Sequence, residues 1–225
     1  MDTSNLPTFS ALWLNINGIN SQNTDSNFYL LLKSFLKSDY QILFLQEPRL
    51  KDGKVDLLEK ACNWPNSKVH GTFTSNSNGS SGVATIVKKD FLATTTNFLI
   101  YPLHPYRCQH VSFSIGTTQF SFANVHMSQD GAERAALAAA MQDSLPIGTI
   151  IGGDFNMVQD VEVDIRRPPS KQPYNNIGWQ ALVSMQAALQ LVDLWRQENG
   201  DTFLHTHKSA VPGGFTLTRI DYVLC

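Results

Sequence analysis

Six polar side chains in this sequence stand where short apolar runs end. Asn15 follows Leu12-Trp13-Leu14, and Glu47 follows Leu43-Phe44-Leu45-Gln46. His126 closes Asn124-Val125-His126, Asp154 and Asn156 sit in Gly153-Asp154-Phe155-Asn156 after Ile150-Ile151, and Asp221 lies between Ile220 and Tyr222-Val223-Leu224. An acid among apolar residues costs free energy unless a neighbour uses its charge. Taken singly, each place has a plain explanation. Asn15-Ile16-Asn17-Gly18 is turn chemistry, because Asn and Gly tolerate left-handed backbone angles; a Glu that closes a strand is a solvated end, and a lone His is a hydrogen-bonded structural residue. Taken together, carboxylates, carboxamides and one imidazole at strand ends are the groups that phosphodiester hydrolysis requires. A hard cation such as Mg2+ takes carboxylate oxygens and keeps waters for a substrate phosphate. An aspartate can deprotonate the attacking water, while amide and imidazole donors hold the pentacoordinate oxygens. Paired-carboxylate glycosidase chemistry also uses two acids, but it has no need of the Asn-rich surroundings.

The elements that must position these groups follow from periodicity. Ser10–Leu14 reads as a buried strand. From Phe28 the apolar positions Leu31, Leu32, Phe35 and Leu36 keep helical spacing, and Gln41–Leu45 returns to strand. Gly82–Val87, Val111–Ile115 and Gln119–His126 are further strands, separated by Gly, Asn, Ser and Pro. The alanine-rich stretch Ala132–Leu145 is helical, Thr149–Ile151 is a short strand, and Asn176–Gln190 carries Trp179, Leu182, Val183 and Leu189 on one helical face. Asp201–His207 and Phe215–Leu224 read as two strands joined by Pro212-Gly213-Gly214. Short strands with helices between them predict sheets covered by helices, an α/β class, in a single domain over residues 1–225.

The composition bounds the function. With 225 residues and 42% hydrophobic content the chain can bury a substantial core. Its net charge of −2 gives no global attraction to nucleic acid or to anionic lipid, so a polyanion must be held by local cations. No apolar run reaches membrane-spanning length, and Met1–Asn5 lacks the basic start of a signal peptide. The three cysteines, Cys62, Cys108 and Cys225, form no CxxC; the expectation is reduced thiols in an intracellular compartment and no structural zinc.

The order Asn-x-Asn-Gly, Gln-Glu, Asn-x-His, Gly-Asp-Phe-Asn, Arg-Ile-Asp-Tyr resembles the endonuclease/exonuclease/phosphatase family, from about Leu12 to Leu224. Within it, LWLNINGINSQ, FLQEPRL, GGDFNMVQD and LVDLWRQENGDTFLHTH before RIDYVL look most like the endonuclease domain of non-LTR (LINE-type) retroelements. The resemblance implies a DNase I-like, four-layered α/β sandwich, with two packed, mainly antiparallel sheets flanked by helices. It also implies a divalent cofactor, Mg2+ or Mn2+, and DNA as the partner, approached through its phosphates; a retroelement endonuclease would be nuclear. Carried over residue by residue, Glu47 is the principal metal ligand, with Asn15 and Asp221 beside it, and Asn15 and Asn17 shape the metal and phosphate site. His126 contacts the scissile phosphate with Asn124 in support. Asp154 orients or deprotonates the water, and Asn156 donates to the phosphate.

The same family pattern continues to a Ser/Asp-x-His motif whose histidine holds the phosphate. Here the last histidine is His207, so the resemblance implies a domain that lacks its last strand and is incomplete at its C-terminus, with activity reduced or lost. A phosphatase, an abasic-site nuclease of the same superfamily and a non-catalytic DNA- or metal-binding remnant are the other readings. Lys51 and Lys54 near Glu47, Arg166-Arg167 and Lys171 after Asp154, and Lys208 and Arg219 around the last hairpin could contact phosphates, or could be scattered solubilising charge.

Overall fold

The structure, a computed structural model, describes residues 8–18, 24–50, 52–76, 81–168, 176–212 and 214–225. The chain divides into two compact units, residues 1–126 and 127–225.

In the first unit, β1 (Ala11–Asn15) runs parallel to β2 (Ile42–Gln46), with α1 (Thr24–Lys37) between them in sequence. α2 (Asp52–Asn63) leads to β3 (Val69–Ser75), which pairs antiparallel with β4 (Gly82–Lys88); the sheet order is β1-β2-β4-β3. A short helix, α3 (Lys89–Leu92), precedes β5 (Thr96–His104), β6 (Cys108–Ile115) and β7 (Thr118–His126), which pair antiparallel in chain order. β2 is buried along its whole length, so it has no polar face to read. Its two-residue period instead sends alternate side chains into two cores. Leu43 and Leu45 join Phe28, Phe35, Leu58 and Phe73 beneath α1 and α2. Phe44 meets Trp13 in a stacked pair at 4.6 Å and Phe122 of β7 at 6.0 Å.

That second core, where the four-stranded sheet faces β6 and β7, is not wholly apolar. Gln46 Nε2 donates to Asn124 Oδ1 at 2.6 Å, and Asn124 Nδ2 donates to the carbonyls of Leu45 and Ala84. Thr85 Oγ1 donates to Gln109 Oε1, whose amide reaches Thr72 O. Gln46, Thr85, Gln109 and Asn124 are buried, yet each has a partner, which removes most of the desolvation penalty. Because these bonds are directional, they allow one setting of sheet against sheet where an apolar seam would tolerate several.

In the second unit, α4 (Gly131–Ser144) packs against α5 (Trp179–Leu189). Asp130 caps α4, its carboxylate accepting from the N–H groups of Ala132 and Glu133. β8 (Ile150–Asp154) pairs antiparallel with β12 (Asp221–Leu224), while β9 (Ile165–Arg166), β10 (His207–Val211) and β11 (Gly214–Thr218) form a three-stranded sheet in the order β10-β11-β9. α6 (Leu194–Asn199) is capped by Asp193.

The expected class, α/β, holds, and the expected strands and helices fall on observed ones, with two corrections near the end of the chain. The strand expected over Asp201–His207 begins only at His207; residues 202–205 are irregular. The strand expected over Phe215–Leu224 is two strands broken at Arg219-Ile220, because the Arg219 side chain is drawn into the interior. Helix α2 and strands β3 and β5 lie outside the expected elements; β5 presents its side chains mostly outward.

Candidate active site

Phe44 to Gln46 on β2 and Phe122 to Asn124 on β7 are parallel two-residue steps on facing strands. The next step on β7 is His126. On β2 the next residue is Glu47, where the chain leaves the strand with φ +50°. A left-handed angle at a non-glycine residue costs ~1–3 kcal/mol and needs surrounding structure to hold it. That support is present: Glu47 N donates to Gly82 O at 3.1 Å, and Glu47 O accepts from Gly18 N at 2.7 Å. The turn carries the carboxylate toward His126, whose Nε2 lies 3.2 Å from Glu47 Oε1. Arg49, also left-handed at φ +52°, donates through Nε and Nη2 to Glu47 Oε2 at 2.9 and 2.6 Å. The hydrogen bond from His126 is the largest influence on Glu47; burial opposes it and Arg49 reinforces it, and the carboxyl group is pulled down to about 2.

The histidine is itself held. His126 is 4% exposed, and its Nδ1 lies 3.3 Å from Ser81 Oγ, which is 3.3 Å from Tyr106 O. A hydroxyl has one hydrogen. It can point at Tyr106 O or at Nδ1, and in either setting the ring stays in place with Nε2 facing Glu47.

Asn15-Ile16-Asn17-Gly18 makes the turn expected of it, with Asn15 Oδ1 accepting from Asn17 N at 2.9 Å and positive φ at Asn17 and Gly18. Turn and site are not alternatives here. Ile16 N donates to Gln46 O, and Gly18 N donates to Glu47 O, so the turn fixes the peptide that carries Glu47. Asn124 is fully buried, with its amide spent on Gln46, Leu45 and Ala84. The first unit thus brings Asn15, Asn17, Glu47 and His126 to one end of its strands, with Asn124 behind them in the interior.

The second unit gathers Asp154, Asn156 and Asp221. Asp154 is 3% exposed and closes β8; its Oδ1 accepts from Asn156 N at 2.8 Å. Asn156 is held at φ +49°, its side chain donates to Met127 O at 2.7 Å, and its carbonyl accepts from Arg134. Arg134 is buried and also serves the carbonyls of Ser128, Gln129 and Ile177, so one guanidinium ties the Asp154 turn to its surroundings. Asp221 stands directly opposite Asp154 in the β8–β12 ladder. Directly opposed residues share a face at ~5 Å between Cβ atoms, and like charges there repel unless a cation or a proton intervenes. Its backbone N–H donates to Thr206 Oγ1.

Within the first unit Glu47, held ionised, is an oxygen donor of the kind a hard divalent cation takes; within the second, two carboxylates oppose each other across one ladder. Glu47's present partners, a guanidinium and an imidazole, are cationic or donating groups of the kind a metal ion replaces.

Sequence reasoning missed the largest polar cluster. Arg219, 1% exposed, donates through Nε and Nη2 to Asp164 and through Nη1 and Nη2 to Asp193; Arg196 adds a second cation to Asp164. Tyr222 lies under the guanidinium at 4.4 Å and donates to Arg219 O at 2.7 Å. Arg219 is therefore not a phosphate contact at the hairpin. Its partners lie 55 and 26 residues away, with no local signal. Among the other expected phosphate contacts, Lys51 and Lys171 lie outside the described residues. Arg166 packs over Phe203 at 4.6 Å and Lys208 over Phe215 at 3.8 Å, while His205 and His207 are exposed.

A family profile described as the endonuclease/exonuclease/phosphatase family matches residues 12–225. An uncharacterised 149 kDa protein of transposon TX1 from Xenopus laevis is 28% identical over 93% of this chain and 16% of its own length; the chain spans about a sixth of that relative. Among solved structures, the AP endonuclease of Leishmania major matches with a TM-score of 0.76 and 14% identity, over 96% of this chain and 78% of that one. The endonuclease domain of TRAS1, a telomere-specific non-LTR retrotransposon, matches with a TM-score of 0.61 and 15% identity, over 97% of this chain and 85% of that one. At these identities the likeness carries the fold alone, which is the DNase I-like α/β fold.

Proposed function

The chain belongs to the endonuclease/exonuclease/phosphatase family, and from that membership we propose that it hydrolyses phosphodiesters with a divalent cation, Mg2+ or Mn2+, and that its substrate is DNA, nicked as a mobile element's endonuclease would nick it. The observation that carries this reading is Glu47, held ionised at the end of β2 by His126 and Arg49. The likeness to the TX1 transposon protein and to the TRAS1 endonuclease domain supports DNA as substrate and, with it, a nuclear place of action. Among the described residues no helix is long and apolar enough to cross a membrane.

In this reading Glu47 is the principal metal ligand, with Asn15 and Asp221 as further oxygen donors. The cation, when bound, supplies Lewis acidity toward a phosphoryl oxygen. Asp154 accepts the proton of the attacking water, its orientation fixed by the N–H of Asn156. Asn156 and Asn17 donate to phosphate oxygens. His126 gives a hydrogen bond from Nε2, and Ser81 holds the other side of its ring at Nδ1. Asn124 acts from the interior, holding Gln46 and so the peptide before Glu47.

The test has two readouts. Calorimetric titration with Mg2+ or Mn2+ should show a site that Glu47→Gln removes, and supercoiled plasmid should be nicked by the parent chain and not by that variant. The roles require Glu47 and Asp154 to serve one phosphate, so Glu47→Gln and Asp154→Asn should be grossly non-additive in rate. Additive losses, or a metal site indifferent to Glu47→Gln, would end the proposal. Cleavage of inositol phosphates with no nicking would move the chain to a phosphatase.

A further inference from the structure

The first unit carries a concave feature at the end of its sheet away from Glu47. β2 starts at Ile42, level with Val87, and ends at Gln46, level with Val83. Lys88 and the last turn of α1 are therefore roughly 20 Å from Glu47 along the strands, at ~3.3 Å per residue. A groove of about 510 Å³ opens there, with Tyr29, Lys33, Lys37, Lys68, Lys88 and Asp90 among its lining residues. Tyr29, Lys33 and Lys37 follow each other at four-residue steps and share one face of α1. A neighbouring hollow of about 500 Å³ shares Ser67 with the groove and adds Lys60 and Trp64.

Two properties set this surface apart. Five lysines face one aspartate, a local net of +4 in a chain whose total is −2. Two aromatic rings, Tyr29 and Trp64, are each 64% exposed beside those lysines. The frame under them is fixed: Lys88 Nζ donates to Ser38 O at the end of α1 and lies over the Phe35 ring, and Lys89 Nζ donates to Trp64 O at 2.8 Å. Lys33, Lys37 and Lys68 stay exposed.

We propose that this groove binds single-stranded nucleic acid, with phosphates on Lys33, Lys37 and Lys68 and unpaired bases stacked on Tyr29 and Trp64. Concentrated positive charge answers a polyanion, since each phosphate neutralised releases counterions. The rings select the single strand. Base–aromatic stacking gains free energy only where bases are unpaired, and a duplex hides its base faces. The distance from Glu47 makes the site independent of the hydrolytic reading.

Fluorescence anisotropy with a labelled 15-nucleotide oligo(dT) tests this, using Glu47→Ala as the parent so that the probe stays intact. Adding Lys33→Glu, Lys37→Glu and Lys68→Glu should weaken binding about tenfold or more and make the slope of log affinity against log salt shallower by about 2. If that set lowers the melting temperature, Lys→Gln at the same positions should still weaken binding and flatten the slope. Tyr29→Ala with Trp64→Ala should weaken the single strand about fivefold or more and leave a 15-base-pair duplex unchanged. Undiminished binding by the lysine variants overturns the site. Equal losses for duplex and single strand overturn its selectivity. Binding of anionic vesicles, with no binding of the oligonucleotide, assigns the groove to a membrane instead.

Discussion

Replacing Arg219 by Met should cost the fold about 3–5 kcal/mol at pH 7. The guanidinium is the common partner of two carboxylates that water does not reach: Asp164 is 0% exposed and Asp193 8%. Burial alone disfavours the Arg219 charge, but the hydrogen bonds with Asp193 and Asp164 outweigh it and hold the group firmly protonated. Methionine fills much of the same volume, so the loss is electrostatic; it leaves Asp193 without its guanidinium and Asp164 with Arg196 alone. Arg219→Lys should still lose ~2 kcal/mol, because one ammonium cannot present a planar fork to two carboxylates. Urea denaturation followed by tryptophan fluorescence gives the loss, with Trp195 in α6 close by in sequence to Asp193. A loss below ~1 kcal/mol would refute the account of the cluster.

Other outcomes follow from the same geometry. Arg49 is half exposed and occupies Glu47 Oε2, so Arg49→Ala should tighten Mn2+ binding modestly, about two- to fivefold in calorimetry, as expected for losing a partly solvated ion pair. The carboxyl group of Glu47 is depressed from 4.5 to about 2, so its contribution to stability is whole above about pH 4.5 and is lost between there and pH 2. The melting-temperature gap between the parent and Glu47→Gln should close across that window, and a constant gap would count against the ionised carboxylate. Burial raises the Cys62 and Cys108 thiols to about 12, whereas Cys225 is exposed. A disulfide reagent at pH 8 should titrate one thiol per chain quickly and the other two only on unfolding.

The sequence made some of this legible and hid the rest for physical reasons. Glu47, Asp154 and Asp221 stood out as a set, because acids recurring beside apolar runs exceed what solvated strand ends explain, and the runs themselves located β2, β8 and β12. The contact of His126 with Glu47 rests on β7 facing β2 and on the left-handed turn at Glu47, neither of which the neighbouring sequence shows. Gln46 read as part of a motif, whereas its bond to Asn124 spans 78 residues and depends on two strands facing each other. Arg134 and Arg219 were invisible as buried groups, because a long basic side chain is normally solvated. What charge and periodicity cannot encode is which distant carbonyl or carboxylate awaits such a side chain.

The left-handed residues at strand ends carry a consequence for selection. Asn17, Glu47, Arg49 and Asn156 all have φ near +50°. Asn, the residue at 17 and 156, tolerates that backbone; Glu and Arg do so at a cost of ~1 kcal/mol or more. Glu47→Gly would relieve the strain at 47, but it would also surrender the hydrogen bonds that His126 and Arg49 make to the carboxylate. A double change, Glu47→Gly with His126→Phe, removes the dependence on those bonds and should melt higher than His126→Phe alone. A chain chosen only for persistence would drift toward glycine at that corner. The glutamate that occupies it is a signature of work done at some cost to durability.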